Sequence, residues 1–367
     1  MKIYAVGGAI RDELLGLPVK DRDYVVVGAT PEEMIELGYR QVGKDFPVFL
    51  HPETHEEYAL ARTERSTARG YRGFEFHTSP DVTLEQDLER RDLTINAIAR
   101  DEYGNLIDPF NGAEDLSAGV LRHVSPAFEE DPVRILRVAR FAARFGFDIA
   151  PETEALMRAM VESGEADALV PERVWQELAQ GLMEVRPSRL FEVLDECGAL
   201  QRIAPQIAAL FEERPRAQAA LDALDAVAET GESLEVRFAA LAKGLDPYAV
   251  EALTNRLKVP AACRDLAMLA ARHANAIVDA EALSPEAVLE FASAVDAWRR
   301  PERFDELLRA AAAGEPDTAK ALRRMRRARE AAAAVDAGAI AKLSANADEI
   351  RTRLNAARLE AIRAALA

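Results

Sequence analysis

The chain has 367 residues, 49% of them apolar and 30% charged, a balance that excludes wholesale disorder and exceeds what one hydrophobic core usually serves. No stretch approaches the roughly twenty uncharged apolar residues of a membrane span, and the N-terminus enters a strand-like pattern with no signal-peptide core. A formal charge of -17 argues against a general nucleic-acid coat, although a local basic face still permits a nucleic-acid enzyme.

Residues 1 to 125 carry most of the Gly-containing turns and short β-branched runs. The first informative segment is Val6-Gly7-Gly8-Ala9-Ile10-Arg11-Asp12, a strand end, a Gly pair and a helix start. Such a turn exposes backbone N–H groups that cradle phosphate oxygens, and Arg11 one turn in adds charge-assisted donors. Val19-Lys20-Asp21-Arg22-Asp23-Tyr24-Val25 follows. Asp21 and Asp23 stand two apart at a strand entry, so their carboxylates face one way, and two hard oxygen ligands suit Mg²⁺ held jointly with substrate phosphates.

Three strands are expected at Tyr24–Val27, Val48–Leu50 and Glu57–Arg62. Thr30 and Pro31 start a helix between the first two. Thr83-Leu84-Glu85-Gln86 reads as a capping box. If that helix runs on, Leu84, Leu88, Arg91 and Ile95 form one stripe; the alternatives are a snorkelling Arg91 or a helix broken before it. Asp108-Pro109-Phe110-Asn111-Gly112 is a turn. From Asp131 the pattern becomes helical, punctuated by Pro151, Pro171, Pro187, Pro205, Pro260, Pro285 and Pro301. Arg134, Arg137, Arg140 and Arg144 fall within about one-third of a helical turn in projection, opposite a face assigned to Ile135, Val138, Phe141 and Ala142. The fold class is α+β: a small mixed sheet in a head, then an all-α remainder. Boundaries are expected at 1–125 for the head, 126–205 for a neck, 206–280 for a body and 281–367 for a tail.

Taken in order, five segments carry a resemblance. They are the Gly pair with Asp21 and Asp23, then Glu89-Arg90-Arg91-Asp92-Leu93-Thr94-Ile95-Asn96-Ala97, then Asp108 to Gly112, then Glu130-Asp131-Pro132-Val133-Arg134 through Phe141, then Pro171-Glu172-Arg173-Val174-Trp175-Gln176-Glu177-Leu178. The first resembles the signature of the DNA polymerase beta superfamily. Together they resemble the successive motifs of class II tRNA nucleotidyltransferases, the CCA-adding enzymes, and are similar to bacterial multifunctional CCA proteins through about residue 205. Bacterial poly(A) polymerases share the architecture and are the rival within this chemistry. A noncatalytic tRNA-binding protein is the rival from another class.

The resemblance implies template-independent addition of C, C and A to the tRNA 3′ end from CTP and ATP, by two-metal transfer with release of pyrophosphate. It implies Asp21 and Asp23 as catalytic metal ligands for Mg²⁺, and Gly8, Arg11, Arg91, Arg137 and Arg140 as nucleotide contacts. Asp92 would accept the ribose 2′-hydroxyl, and Asp131 with Arg134 would read the base edge. A third carboxylate is common in the superfamily; Glu57 is the candidate, with Glu56 and Glu64 as rivals. The Asp108 turn would act as a head–neck hinge, and Thr63 to Val82 as a mobile loop that helps change specificity.

The base-edge assignment has a chemical rule behind it. Cytosine and adenine each present an exocyclic amino donor beside a ring-nitrogen acceptor, which a carboxylate and a guanidinium satisfy together. Uracil and guanine place a carbonyl where that amino group should be, a mismatch worth about 1–3 kcal/mol in a buried site. Asp131 is also an ordinary N-cap candidate before Pro132, and the two roles are compatible.

Multifunctional relatives carry a metal phosphohydrolase domain with a His-Asp doublet, where this chain reads Val236-Arg237-Phe238-Ala239-Ala240-Leu241-Ala242-Lys243-Gly244-Leu245. Of five His only His273 follows residue 123, so a multi-His site cannot form there, and phosphatase and phosphodiesterase activity is expected to be missing. Arg323, Arg324, Arg326, Arg327 and Arg329 form the densest basic cluster, either a solvated face or a tRNA-phosphate contact. Trp175 and Trp298 are expected to pack rather than stack on bases. Cys197 and Cys263 are too few for a disulfide framework, so a reducing cytoplasm is expected, with no membrane and the oligomeric state open.

Overall fold

The computed structural model describes residues 1–19, 21–42, 48–66 and 74–367, without the side chains of 64–66 and 74–76. Lys20, the stretch 67–73 of the expected mobile loop, and the Glu64 side chain therefore lie outside the described residues. The chain divides into two compact units, Met1–Gly181 with Arg189–Ile203, and Leu182–Ser188 with Ala204–Ala367.

In the first unit, β1 (Lys2–Val6) leads into α1 (Gly8–Leu14), then β2 (Asp23–Val27) and α2 (Pro31–Glu36). Strands β3 (Arg40–Val42), β4 (Val48–Leu50) and β5 (Glu57–Leu60) follow, then a separate hairpin of β6 (Arg62–Ser66) and β7 (Phe74–Thr78). After α3 (Leu84–Glu89) come β8 (Ala99–Arg100), β9 (Leu106–Ile107), α4 (Gly112–Ala118), α5 (Val133–Phe145), α6 (Pro151–Glu162) and α7 (Pro171–Leu182). The main sheet runs β3-β4-β5-β2-β1-β8-β9. It is mixed, because β2 pairs β5 in parallel and β1 antiparallel. The three expected strands are β2, β4 and β5, the last ending at Leu60 rather than at Arg62, which opens the hairpin.

Period-two alternation along β2 splits the head core between the two sheet faces. Val25 packs with Val6, Leu88 and Ala97, and Val26 with Met34, Phe49 and Leu60. Met34 and Phe49 are fully buried, so either one replaced by Ala should cost about 2–5 kcal/mol.

Both sequence-legible capping boxes form. Glu33 N–H donates to Thr30 Oγ1 at 3.3 Å and Gln86 N–H to Thr83 Oγ1 at 3.2 Å, each with the reciprocal bond. The stripe expected beyond Leu88 does not form, because α3 ends at Glu89 and Thr94–Asn96 make a separate 3-10 turn. Arg91 thus leaves the helix, the broken-helix alternative. The Asp108 turn is tightly fastened: its carboxylate accepts from the N–H groups of Gly112 and Ala113, both at 2.8 Å. A Cβ on Gly112 would lie 2.1 Å from the Thr94 carbonyl oxygen, so only glycine fits.

The second unit is helical throughout its regular elements among the described residues. The helix Leu234–Ala242 packs against Ala261–Val278 and Pro301–Ala312. Just past its end, Lys243 Nζ donates to the carbonyls of Ala311 at 3.1 Å and Ala313 at 2.5 Å and to Glu315 Oε1 at 2.9 Å. His273 and Trp298 are half-buried: His273 packs edge-on against the Phe291 ring, and Trp298 lies under the Arg358 guanidinium at 4.7 Å. On the helix Ala319–Ala333, Arg324 donates to the carbonyls of Ala280 and Leu283, Arg326 pairs with Asp305, and Arg327 donates to the carbonyl of Ala365. Three members of the basic cluster are thus spent within the unit. Among the described residues no helix is long and apolar enough to cross a membrane.

Candidate active site

Strand pairing brings the glycine turn and the acidic pair to one end of the sheet. β1 runs out into Gly7 where antiparallel β2 begins, and Val6 faces Asp23 in register. On the other side β5 sets Glu57 opposite Asp23, which makes it the carboxylate adjacent in register. Glu56 instead accepts a hydrogen bond from Thr54 Oγ1 at 2.9 Å. Gly7 adopts φ 71°, and a Cβ there would approach Arg91 Nη1 to 2.9 Å. The turn favours glycine for its backbone, and a Cβ there would also displace the guanidinium lying across it.

Asp23 has its carboxyl raised above the usual range. The first cause is loss of water at the cleft wall, Asp21 adds like charge, and the Arg91 guanidinium opposes both. Among the described residues no three His, Cys, Asp or Glu side chains converge as a metal-binding group. The Asp23 carboxylate beside the glycine turn is nevertheless the kind of hard oxygen ligand Mg²⁺ takes, since that ion completes its shell with water and substrate oxygens.

A cleft of about 740 Å³ joins this end of the sheet to α5 and α7. Of the residues singled out from sequence, it is lined by Gly8, Arg11, Asp23, Arg91, Asp92, Asp131, Arg134 and Arg137. Asp21 and Arg140 are not among its lining residues; Arg140 is buried and bonded through Nε to Glu177 Oε2, which does line it, at 2.7 Å.

The four arginines of α5 do lie on one side, but Phe141 is not opposite them. At about 100° per residue it falls inside their arc, and the structure places its ring beneath three guanidiniums. Arg11, Arg137 and Arg140 lie 5.1, 5.6 and 4.7 Å from its centroid. Nor is the arc a solvated face, since Arg134 and Arg140 are both buried. A cation over an aromatic face contributes about 0.5–2 kcal/mol, which helps hold so many like charges together.

Each of these side chains has partners that fix its direction. Arg134 donates to the carbonyl of Ala127 at 2.7 Å and of Arg90 at 2.6 Å. Arg11, almost fully buried, donates to Asp12 Oδ1 at 2.8 Å and Asn96 Oδ1 at 2.6 Å, and Arg144 reaches Asp12 Oδ2 at 2.8 Å. This network fastens α1 to α5. Asp92 accepts from Leu93 N–H at 2.8 Å, Asn96 Nδ2 at 3.0 Å and Arg137 Nε at 2.7 Å. Burial alone would push its carboxyl up, yet the charge of Arg137, the two side-chain bonds and the charge of Arg134 hold it well below the usual range.

Lining residues to which the sequence assigns no role include Arg62, Asn96, Arg173 and Glu177. The last two stand four apart on α7, one face of a helix, which was a readable signal. Their partners on α5 and before it were not readable, because they are separated by about forty residues of chain.

Residues 3–122 match the family model described as the Poly A polymerase head domain, and residues 146–211 the one described as the probable RNA and SrmB-binding site of polymerase A. The class is therefore that of a nucleotidyltransferase head continued by helices. The chain is 55% identical to the multifunctional CCA protein of Laribacter hongkongensis, covering 100% of this chain and 99% of the relative. It is 60% identical to that of Chromobacterium violaceum over 84% of this chain and 83% of the relative. The Laribacter alignment spans 400 positions, more than the 367 residues present, so segments of the relative have no counterpart here. Among solved structures, the Bacillus stearothermophilus CCA-adding enzyme in complex with CTP superposes with a TM-score of 0.71 at 25% identity, over 99% of this chain and 89% of that one. The chain belongs to the multifunctional CCA protein family of class II tRNA nucleotidyltransferases.

Proposed function

We propose that this protein adds C, C and A to the 3′ end of tRNA from CTP and ATP, in the cytoplasm, without a nucleic-acid template. The observation that carries the reading is the single cleft that holds Asp23 and the glycine turn at one end and Asp131 with Arg134 at the other. Asp21 and Asp23 would hold Mg²⁺. Bound there, divalent ions supply activation of the tRNA 3′-hydroxyl and charge neutralisation at the leaving pyrophosphate. Gly8 lets the triphosphate approach the backbone, Arg11, Arg91 and Arg137 provide positive charge around it, and Arg140 braces that wall through Glu177. Glu57 is the preferred third carboxylate, since its strand register sets it opposite Asp23.

Base choice follows from Asp131 and Arg134. Asp131 Oδ1 accepts from Val133 N–H at 3.1 Å and from Arg173 at 3.2 Å, and Oδ2 accepts from Arg173 at 2.7 Å. A carboxylate has about four acceptor positions, so Oδ2 retains one for the amino group of cytosine or adenine. Arg134, braced by two carbonyls, donates to the ring nitrogen. Asp92 accepts the ribose 2′-hydroxyl, which favours ribonucleotides.

The head would end at 125, the neck at 205 and the body at 280, with the tail holding tRNA. Phosphohydrolase activity is proposed to be missing, because the slot where relatives carry their His-Asp doublet holds neither residue and Lys243 there is engaged by two backbone carbonyls and Glu315. The test of the transferase reading is Asp21→Ala and Asp23→Ala: both variants should bind tRNA and incorporate no nucleotide. Undiminished incorporation by either would overturn it.

A further inference from the structure

Asn96 closes the 3-10 turn Thr94–Asn96 and is 6% exposed. Its side-chain amide lies between two charged groups of the cleft. Arg11 Nη1 donates to its Oδ1 at 2.6 Å, and its Nδ2 donates to Asp92 Oδ1 at 3.0 Å. Its backbone carbonyl accepts from Arg91 Nη1 at 3.4 Å, so one residue touches three of the charged residues around the triphosphate and ribose end.

A guanidinium only donates and a carboxylate only accepts. The side chain between them must therefore present an acceptor and a donor from one short planar group, in one orientation. Asn does this. Leu matches its shape with neither group, and Asp keeps the acceptor for Arg11 but turns a second acceptor toward Asp92.

The acceptor positions of Asp92 show what the arrangement leaves over. Oδ1 takes Leu93 N–H and Asn96 Nδ2, while Oδ2 takes Arg137 Nε. Oδ1 is thus filled and Oδ2 keeps a position for one more donor.

We propose that Asn96 is a positioning residue for sugar selection: by holding Asp92 Oδ1 against an amide anchored on Arg11, it turns Asp92 Oδ2 toward the incoming ribose. The inference rests on Asp92 reading the 2′-hydroxyl and assigns what aims it. Nothing in the role asks Asn96 to touch the nucleotide.

The experiment compares kcat/KM for CTP and dCTP, on tRNA lacking its terminal triplet, in Asn96→Leu, Asn96→Asp and Asp92→Ala. Both Asn96 variants should lose roughly tenfold in the CTP-to-dCTP ratio as the contact is misaimed. The loss should fall on CTP, through KM as well as kcat, with dCTP changed far less. If Asn96→Leu fails to fold, Asn96→Asp decides, since it keeps the shape and the Arg11 bond and replaces the donor to Asp92 by a charged acceptor that repels it. An equal fall for both nucleotides would mean a purely structural residue and overturn the proposal. So would an unchanged ratio in the Asn96 variants while Asp92→Ala loses selectivity, and the ribose reading would then survive. An unchanged ratio in Asp92→Ala would instead remove the ribose reading, and this inference with it.

Discussion

Arg173 grips Asp131 at two points: Nη2 meets Oδ2 at 2.7 Å and Nη1 meets Oδ1 at 3.2 Å. The pair ties the start of α7 to the residue just ahead of α5. It holds the carboxylate proposed to face the base in the plane of a guanidinium, a geometry a lysine cannot reproduce. Arg173→Lys should therefore keep the charge and lose the aim. We expect kcat/KM for CTP and ATP to fall about tenfold, with a relative rise in UMP incorporation, measured by single-turnover incorporation of each nucleotide. Unaltered discrimination would show that Asp131 needs no second anchor.

Gly7→Ala tests the phosphate end. Its φ of 71° strains any L side chain by about 1–3 kcal/mol, and the new methyl would meet Arg91 Nη1. Thermal stability should drop, and KM for both nucleotides should rise as Arg91 is pushed aside. A variant with wild-type KM would place the triphosphate elsewhere.

The depressed carboxyl of Asp92 sets a pH dependence with a definite sign. A group whose folded pKa lies below its unfolded value stabilises the protein above the unfolded value, near pH 4, and loses that contribution as pH falls toward the folded one. Asp92→Asn should thus be the less stable protein at neutral pH, and the gap should close on acidification below about pH 4. Unfolding scans of both proteins across that range check it. A gap that widens in acid would contradict the assignment.

Lys243 allows the stability of its slot and the proposed loss of phosphohydrolase activity to be tested separately. Lys243→Met strands three acceptors, two of them backbone carbonyls, and should cost about 2–4 kcal/mol in unfolding free energy. The unaltered protein, supplied with Mg²⁺, Mn²⁺ or Ni²⁺, should leave 2′,3′-cyclic phosphate substrates intact. Metal-dependent hydrolysis would overturn the reading of this slot.

The five tail arginines should divide. Arg323 and Arg329 have no ion pair or hydrogen bond among the described residues, whereas Arg324 caps the carbonyls of Ala280 and Leu283. Replacing Arg323 and Arg329 by Ala should reduce the salt dependence of tRNA binding by up to about two ion equivalents without a change in stability. Arg324→Ala should lower stability instead.

What the sequence made legible is what short-range rules govern. The capping boxes at Thr30 and Thr83, the glycine turn, the acidic pair and the arginine arc of α5 all depend on neighbours within one or two turns. Strands β3, β8 and β9, at two or three residues each, are too short to show an alternating pattern. Phe141 was misplaced because its apolar character suggested the core face, whereas projection angle and cation stacking put it among the guanidiniums. Asn96 is not legible as a site residue, because an uncharged side chain inside a motif gives no sign of its partners. Its importance lies in Arg11, eighty-five residues away, and in Asp92.

The central claim is that side chains alone choose the nucleotide and stop after the third. A tRNA ending at the residue before the triplet, given all four nucleoside triphosphates with Mg²⁺, should gain C, C and A in that order and nothing further. A run of A residues, incorporation of U or G at rates near those of C and A, or no extension at all would contradict it.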